Sequence, residues 1–287
     1  MPLLHCQTIR AGNPGAFTGP GTNTYILGQD QVVVVDPGPD LPAHLDAITR
    51  AIAGRKVAAI LVTHPHLDHS ALVPRLAALT GAEVLAYGDA LSGISPLMQQ
   101  LAAEGLGGSE GSDPAFAPDR RVIDGQILSL AGLQIEVIHT PGHMGSHIVL
   151  AVGDTLLSGD HVMGWSTSIV SPPEGDMGAY MRSLHKLAGR KWARFLPGHG
   201  AAVDDPALRL ADLIAHRQAR EAAILSALTE GGPASAAELA RRIYTTTPPA
   251  LLPAAARNVL AHLIDLQARN LATAEPSRME FARFTRV

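Results

Sequence analysis

The chain has 287 residues, of which 46% are hydrophobic and 17% charged, and its formal net charge is −4. This composition allows a sizeable core, and the length fits one large domain or a domain of about 200 residues with a small one. A single cysteine, Cys6, excludes a disulfide framework and a thiolate metal cage. The sequence shows neither a signal peptide nor a run of about 18 apolar residues, so we expect a soluble, cytoplasmic protein.

The first two-thirds of the chain alternates strand-like and helix-like segments. The β-branched run "QVVVVDPG" and the later apolar run "KVAAILVT" predict strands that are buried on both faces. Apolar residues at helical spacing predict helices over 39–53 and 70–81, on either side of the second run. Strands that alternate with helical crossovers indicate a layered α/β protein.

Further along, residues 88–118 are rich in Gly, Ser and Pro, and we expect a loop or partly helical lid there rather than core. Two hairpins are predicted next, turning near Ala131-Gly132 and Gly153-Asp154. A helix is expected over 177–189, and "ARFLPGHG" predicts a short strand that runs into a loop.

The pattern changes at about residue 205. A long helix is expected over 206–228, and Ser235 with Glu238 three residues later predicts a capped short helix. A third helix over 252–270 and a final strand complete the outline of a winged-helix module, so we predict domains at 1–205 and 206–287. The second part has ten arginines, no lysine and seven acidic residues, giving +3, which leaves −7 for the first part.

The stretch "THPHLDH" follows the apolar run Val57–Val62 and contains three histidines and an aspartate. His64 and His66 are two apart, so they could approach one ion together, while Asp68 and His69 could approach a neighbouring one. Imidazole and carboxylate ligands suit zinc, and also manganese or iron. Four ligands this close do not fit comfortably around one tetrahedral ion, which suggests two ions.

Three later segments repeat the same arrangement of an apolar strand followed by a polar residue. They are "TPGH", "LSGD" and "LPGHG", and they present His143, Asp160 and His199. Polar residues that follow strands collect at one edge of a sheet. The sequence therefore predicts a shared metal site at that edge.

This combination of HxHxDH with a distant His, Asp and His resembles the metal signature of the metallo-β-lactamase superfamily, over roughly residues 5–205. The resemblance implies an αββα metallo-β-lactamase sandwich, followed here by a small, mainly helical, winged-helix-like domain. It also implies a binuclear hydrolase that uses a metal-bridging hydroxide, with Asp68 as proton acceptor. The ligands would be His64, His66 and His143 for the first ion, Asp68, His69 and His199 for the second, and Asp160 between them.

Within the superfamily, His69 and the lone Cys6 disfavour true β-lactamases, which commonly use a cysteine ligand in the second site. Only 39 positions separate Asp160 from His199, which leaves no room for the extra domain of the RNA-processing nucleases. The stretches "PGTNTYILG", "TPGHMGSHIVL" and "HRQAREAAIL" resemble the lactamase-beta-like protein 2 group. In that group the counterpart of His147 points into the site and could stabilise an oxyanion or phosphate. The alternative is a structural hydrogen bond.

By resemblance to the animal proteins of this group, the first substrate hypothesis is a phosphodiester of single-stranded RNA. The alternative is a thioester or other acyl bond of a small molecule, as in glyoxalase II, and a third interpretation is a nucleic-acid-binding or regulatory protein. We expect two divalent ions, zinc first, and His139 and His161 near the ligands without binding metal. The loop "GWSTSIVSPPEGD" could be a substrate wall or a rigid connection, and nucleic acid could contact the C-terminal arginines.

Overall fold

The computed structural model describes residues 4–108, 111–275 and 282–287. Its first sheet has six strands, which lie side by side in chain order. The first three strands pair antiparallel, and every later pairing is parallel. The strands are β1 (Cys6–Arg10), β2 (Asn23–Leu27), β3 (Gln31–Val35), β4 (Lys56–Leu61), β5 (Val84–Ala86) and β6 (Arg120–Arg121).

The second sheet has five strands and packs face to face on the first. Its order is β11 (Arg194–Pro197), β10 (Thr155–Gly159), β9 (Ile148–Val152), β8 (Leu133–His139) and β7 (Ile127–Leu130). Two-residue turns join β7 to β8 and β9 to β10, where Leu130 pairs with Leu133 and Val152 with Thr155. Both predicted hairpins are confirmed.

The valine run of β3 shows how the layers are filled. Successive side chains of a strand point to opposite faces. Val33 and Val35 lie in the core between the two sheets, whereas Val32 and Val34 face the outer helices. The helices on that side are α1 (Pro42–Ile52) and α3 (Val73–Thr80), the single turn α2 (Leu67–Ser70) comes shortly before α3, and α5 (Met177–Ala188) covers the second sheet. The predicted αββα sandwich is confirmed.

The segment between β5 and β6 is partly helical, as one of the two expectations had it, but its burial differs from the prediction. It contains helix α4 (Pro96–Ala103), which begins at the N-cap Ser95. Met98, Leu101 and Leu106 are buried in the same apolar cluster as the helices of the C-terminal region. The expectation that this segment lies outside a core was wrong, because its apolar partners are far away in the sequence.

The C-terminal region has the predicted three helices, and within the described residues the predicted final strand is the second strand of a hairpin. These are α6 (Pro206–Gly231), α7 (Ala236–Ile243), α8 (Leu252–Ala268), and strands β12 (Ala272–Glu275) and β13 (Arg283–Arg286), which pair antiparallel. The predicted capping box of α7 is present, with Ser235 and Glu238 each bonded to the other's backbone N–H. The winged-helix expectation is confirmed.

Helix α6 is 26 residues long and belongs to two cores. Leu210 and Leu213 pack in the cluster that covers the second sheet, whereas Ile224 and Leu228 pack in the C-terminal cluster. The domain division at residue 206 therefore stays a prediction, since the helix that begins there joins both units. Among the described helices, none has the length and apolar character needed to cross a bilayer.

Candidate metal centre

The seven predicted ligands meet at one edge of the sandwich. His64 and His66 follow β4, and helix α2 begins directly after His66, so that its first turn carries Asp68 and His69. The other three predicted ligands each follow a strand of the second sheet, after β8, β10 and β11 respectively: His143, Asp160 and His199. The structure brings together every residue for which the sequence predicted metal binding.

The first ligand group consists of three histidines. Nδ1 of His66 lies 3.0 Å from Nε2 of His64 and 3.1 Å from Nε2 of His143. Zinc–nitrogen bonds of about 2.0–2.1 Å place two nitrogens of a tetrahedral site ~3.3 Å apart. The observed spacing is therefore close to that of three nitrogens around a single ion.

The second ligand group contains a carboxylate and two histidines. Nε2 of His199 lies 3.3 Å from Nε2 of His69 and 3.2 Å from Oδ2 of Asp68. The side chain of Asp68 is 28% exposed, whereas those of His69 and His199 are at most 1% exposed. Asp68 is therefore the member of this group that is open to solvent.

Asp160 lies between the two groups. Its Oδ2 atom is 3.2 Å from Nε2 of His199 and 3.9 Å from Nε2 of His143. Its Oδ1 atom is 3.5 Å from Nε2 of His69, and it is buried without a hydrogen-bond partner among the described residues. A buried carboxylate oxygen without a donor is costly unless a cation compensates it. This position fits a ligand that is shared by two ions.

The outer nitrogens of the ligands determine which nitrogen is free for a metal. Nδ1 of His143 donates to the carbonyl of Ile169 at 2.7 Å, and Nδ1 of His69 donates to Oδ2 of Asp36 at 3.0 Å. Nδ1 of His199 faces the carbonyl of Gly21 at 3.4 Å. A neutral imidazole that donates from Nδ1 keeps its lone pair on Nε2, and in all three residues Nε2 faces the cluster. The donor set fits divalent cations.

The electrostatics of the two groups differ. Burial, and then His143, lowers the pKa of His66 to about 3, which keeps this ring neutral, as metal binding requires. Burial alone would lower the pKa of His199, but the carboxylates of Asp160 and Asp68 raise it to about 9. The second group therefore has a strong affinity for positive charge, which a proton satisfies when no ion is bound.

Two supporting residues were missed in the sequence. Asp36 follows β3, and it accepts hydrogen bonds from the N–H and Oγ1 of Thr63 at 2.8 Å as well as from His69. Thr22 donates from Oγ1 to Oδ2 of Asp68 at 3.2 Å. In the sequence, the only sign of Asp36 is that it ends the buried run "VVVVD", and ordinary turns share this pattern.

The structure places His147 behind the ligands. It is fully buried, its Nε2 accepts from the N–H of Asp160 at 3.2 Å, and its Nδ1 bonds Oγ1 of Thr140 at 2.9 Å. These contacts favour the structural alternative, in which His147 orients the backbone of Asp160. A direct catalytic role for His147 stays a prediction, and these contacts do not support it.

Two further histidines flank the ligands without joining them. His139 stacks on Tyr87 with ring centroids 3.9 Å apart and bonds the carbonyl of Gly145 through Nε2. His161 is buried against Tyr180, and neither of its ring nitrogens has a hydrogen-bond partner among the described residues.

One exposed apolar side chain lies beside the candidate site, and two others lie close in sequence to residues near it. Trp165 is 45% exposed and lies over Gly19 and Gly200, where an added Cβ would come within 2.5–2.9 Å of its ring. Gly200 follows the ligand His199, so the indole is beside the second ligand group. Phe17 and Leu67, also exposed, lie close in sequence to Gly19 and to the ligand His66. We call these three side chains the apolar rim.

Comparison with known families agrees with this geometry. Residues 17–199 match the family described as "Metallo-beta-lactamase superfamily", and residues 235–279 match the "Beta-lactamase associated winged helix domain". The chain belongs to the metallo-β-lactamase superfamily. As a member of this superfamily it is a hydrolase, and superfamily enzymes typically bind two metal ions.

Individual relatives cover most of this superfamily member. It is 31% identical to the "Beta-lactamase-like protein 2 homolog" of Drosophila melanogaster, over 89% of this chain and 85% of that protein. It is 29% identical to the "Atrochrysone carboxyl ACP thioesterase" of Aspergillus chevalieri, over 84% of this chain and 71% of that protein. The crystal structure of a metallo-beta-lactamase family protein from Thermus thermophilus superposes with a TM-score of 0.78 at 24% identity, covering 100% of this chain and 99% of that one.

Proposed function

We propose that this hydrolase holds two divalent ions in the two ligand groups that Asp160 joins. That shared carboxylate, within 3.2 Å of one group and 3.9 Å of the other, is the observation that carries the proposal. When bound, the ions lower the pKa of water to near neutrality and polarise the bond under attack. We propose zinc as the metal, because imidazole and carboxylate donors suit it, although they also suit manganese and iron.

Asp68 is the proposed catalytic carboxylate. Its side chain is 28% exposed and that of Asp160 is 11% exposed, so Asp68 is the more accessible to an attacking water. Thr22 holds Oδ2 of Asp68 through a hydrogen bond of 3.2 Å. A carboxylate fixed in this way can accept the proton of the water and orient it toward the substrate.

For the substrate, we propose an acyl bond, such as a thioester, in preference to RNA. The apolar rim suits an acyl group or an aromatic body. Residues 1–205 carry a net charge of −7, which two divalent ions would reduce to −3, so this region has no excess positive charge to attract a polyanion. A relative at 29% identity is named a thioesterase. These features support the acyl alternative of the two substrate classes that the sequence left open.

Single-stranded RNA is the second candidate. The resemblance to the lactamase-beta-like protein 2 group supports it, and so does the +3 charge of residues 206–287. The exposed ring of Trp165 could stack on a base. In this candidate function the polyanion would contact the C-terminal arginines.

Metal analysis and one substitution test the proposal. We expect about two divalent ions per purified chain. Asp68→Ala should lower turnover by about 100-fold or more, with an unchanged circular dichroism spectrum. Asp30→Ala, at an exposed position, should leave turnover unchanged. One ion or none would overturn the binuclear centre, and full turnover by Asp68→Ala would remove the role of Asp68.

A side-by-side assay separates the two substrate classes. The purified protein is incubated with acyl thioesters of increasing chain length and, separately, with short single-stranded RNA. We expect thioester hydrolysis that improves with chain length, because the apolar rim would bind the longer chains. Cleavage of RNA with no thioesterase activity would reverse the order of the two candidates.

A further inference from the structure

Residues Ser168–Ser171, here called the support segment, lie directly behind two of the ligands. The carbonyl of Ile169 accepts the hydrogen bond from Nδ1 of His143 at 2.7 Å. Oγ of Ser168 bonds the carbonyl of Asp160, and also that of His161 at 3.0 Å. The orientation of a ligand from the first group and of the shared ligand therefore depends on this segment.

Helices of the C-terminal region hold the support segment in place. Arg217, from α6, donates to the carbonyl of Ser168, and Asn258, from α8, accepts from the N–H of Val170 at 3.1 Å. Arg217 also donates to Oδ1 of Asn258 at 3.2 Å, so these two side chains act as one unit. Arg257, from α8, donates to Oγ of Ser171 at 2.9 Å.

Packing alone does not explain why Arg217 is buried, because the burial of a charge is costly. The residue is 2% exposed, and among the described residues it forms no salt bridge, while its Nε atom has no hydrogen-bond partner. Its guanidinium lies 5.1 Å from the ring centroid of Tyr180. A buried charge without a carboxylate is unfavourable, and an apolar side chain of similar volume would often be as stable or more stable. What an apolar residue could not supply is the pair of hydrogen bonds to Ser168 and Asn258.

Helix α8 of the C-terminal region is also buried inside the molecule. In helix-turn-helix modules the second helix of the pair reads the major groove. Here that helix is α8, and six consecutive residues, Val259–Ile264, are buried, so that every face of its middle turns is covered. Ala261 packs in the cluster of the second sheet, and Val259 in the C-terminal cluster. This helix is docked within the molecule and is not free to enter a groove.

We propose that Arg217 and Asn258 are positioning residues for the metal centre. They fix the support segment, whose Ile169 carbonyl holds the ring of His143 with its Nε2 toward the first ligand group. The C-terminal region thereby completes the metal site, which is the function of its buried helix face. This inference rests on the proposed two-metal centre.

The test uses Arg217→Met in the full-length, metal-loaded protein. Methionine fills the space of the arginine stem and removes the cost of burying its charge, but it also removes the donor to the carbonyl of Ser168, so we expect a melting temperature close to that of the unchanged protein. We expect the loss of zinc to a chromogenic chelator to be roughly tenfold faster or more, as found when outer partners of metal ligands are removed. Gln218→Ala, at the adjacent exposed position, is the matched control and should retain zinc normally.

Asn258 supplies the second measurement. Asn258→Asp keeps an acceptor for Val170 and for Arg217. Its rate of zinc loss should therefore stay within about threefold of that of the unchanged protein, below the roughly tenfold increase expected for a lost partner. Asn258→Ala removes the acceptor and should lose zinc as fast as Arg217→Met. Cobalt-loaded samples should show an altered visible absorption spectrum for Asn258→Ala and an unaltered one for Asn258→Asp.

The outcomes distinguish this inference from the proposed function. If the unchanged protein does not retain two ions, the metal centre itself is wrong. If it does, and Arg217→Met retains zinc at the same rate, the positioning role is wrong. The positioning role would also be wrong if all three variants, Asn258→Asp included, lost zinc faster in proportion to a fall in melting temperature.

Discussion

Asp36 supports the proposed ligand His69 through a hydrogen bond. Its carboxylate accepts from Nδ1 of His69 and from both donors of Thr63, so the aspartate, the strand end and the ligand form one hydrogen-bonded unit. The negative charge of Asp36 contributes to the raised pKa of His69, after Asp68 and Asp160 and against the effect of burial. The same charge strengthens the imidazole as a metal ligand.

We therefore expect Asp36→Asn to weaken the second metal site. Asparagine keeps the shape but loses the charge, and such changes typically cost about 10- to 100-fold in metal affinity. Calorimetric titration of zinc into metal-free protein should show one affinity unchanged and one lowered. Asp46→Asn, on the exposed face of α1, serves as the control. Two unchanged affinities in Asp36→Asn would contradict the assigned role.

The start of α7 carries a complete capping box. Glu238 accepts from the N–H of Ser235 at 2.7 Å and bonds Arg283 of β13 at 3.0 Å, which ties the helix to the hairpin. The hydrogen bonds with Ser235, and then Arg283, lower the pKa of Glu238 to about 2. An ionised glutamate is thus preferred in the folded state.

The lowered pKa of Glu238 predicts how its contribution to stability depends on pH. Because the folded protein favours the ionised form, the contribution of Glu238 is complete above the ordinary glutamate pKa, and it is lost as the pH falls toward about 2. Glu238→Gln should therefore lower the free energy of unfolding at pH 7, and the difference from the unchanged protein should shrink below pH 4.5. Urea unfolding across this pH range measures it. A difference that is independent of pH would contradict the prediction.

Local patterns predicted most elements because their signals lie within the elements. The turns at Ala131-Gly132 and Gly153-Asp154, the capping box of α7 and the strand-then-ligand segments were all predicted in this way. Asp36 was missed because an aspartate before Pro-Gly is also an ordinary turn residue. The burial of α4 was missed because Met98 and Leu101 pack against residues from position 224 onward, and hydrophobic spacing does not reveal such a distant partner.

On the scale of the whole molecule, two regions are interleaved. Helix α4 comes from the catalytic part of the chain but packs in the C-terminal core, while the first half of α6 covers the catalytic sheet. Helix α6 runs through both regions over ~39 Å, at about 1.5 Å per residue. The two regions should therefore unfold together.

Leu101→Ala tests this coupling. Removing a buried leucine side chain should cost about 2–5 kcal/mol. Because Leu101 shares a core with Val259 and Leu263, hydrogen exchange should become faster in α8 as well as in α4. Leu97→Ala, a partly exposed position on the same helix, should change little. Faster exchange confined to α4 would show that the regions are independent.

The placement of Trp165 has a practical consequence for kinetics. The chain has two tryptophans, and the other, Trp192, bonds the carbonyl of Leu187 at the end of α5. Trp165 lies half-open beside the second ligand group, so its fluorescence should change when a ligand displaces water from the ring. Trp192→Phe would leave Trp165 as the single tryptophan, beside the candidate site. Stopped-flow fluorescence could then follow substrate arrival and product release without any added label.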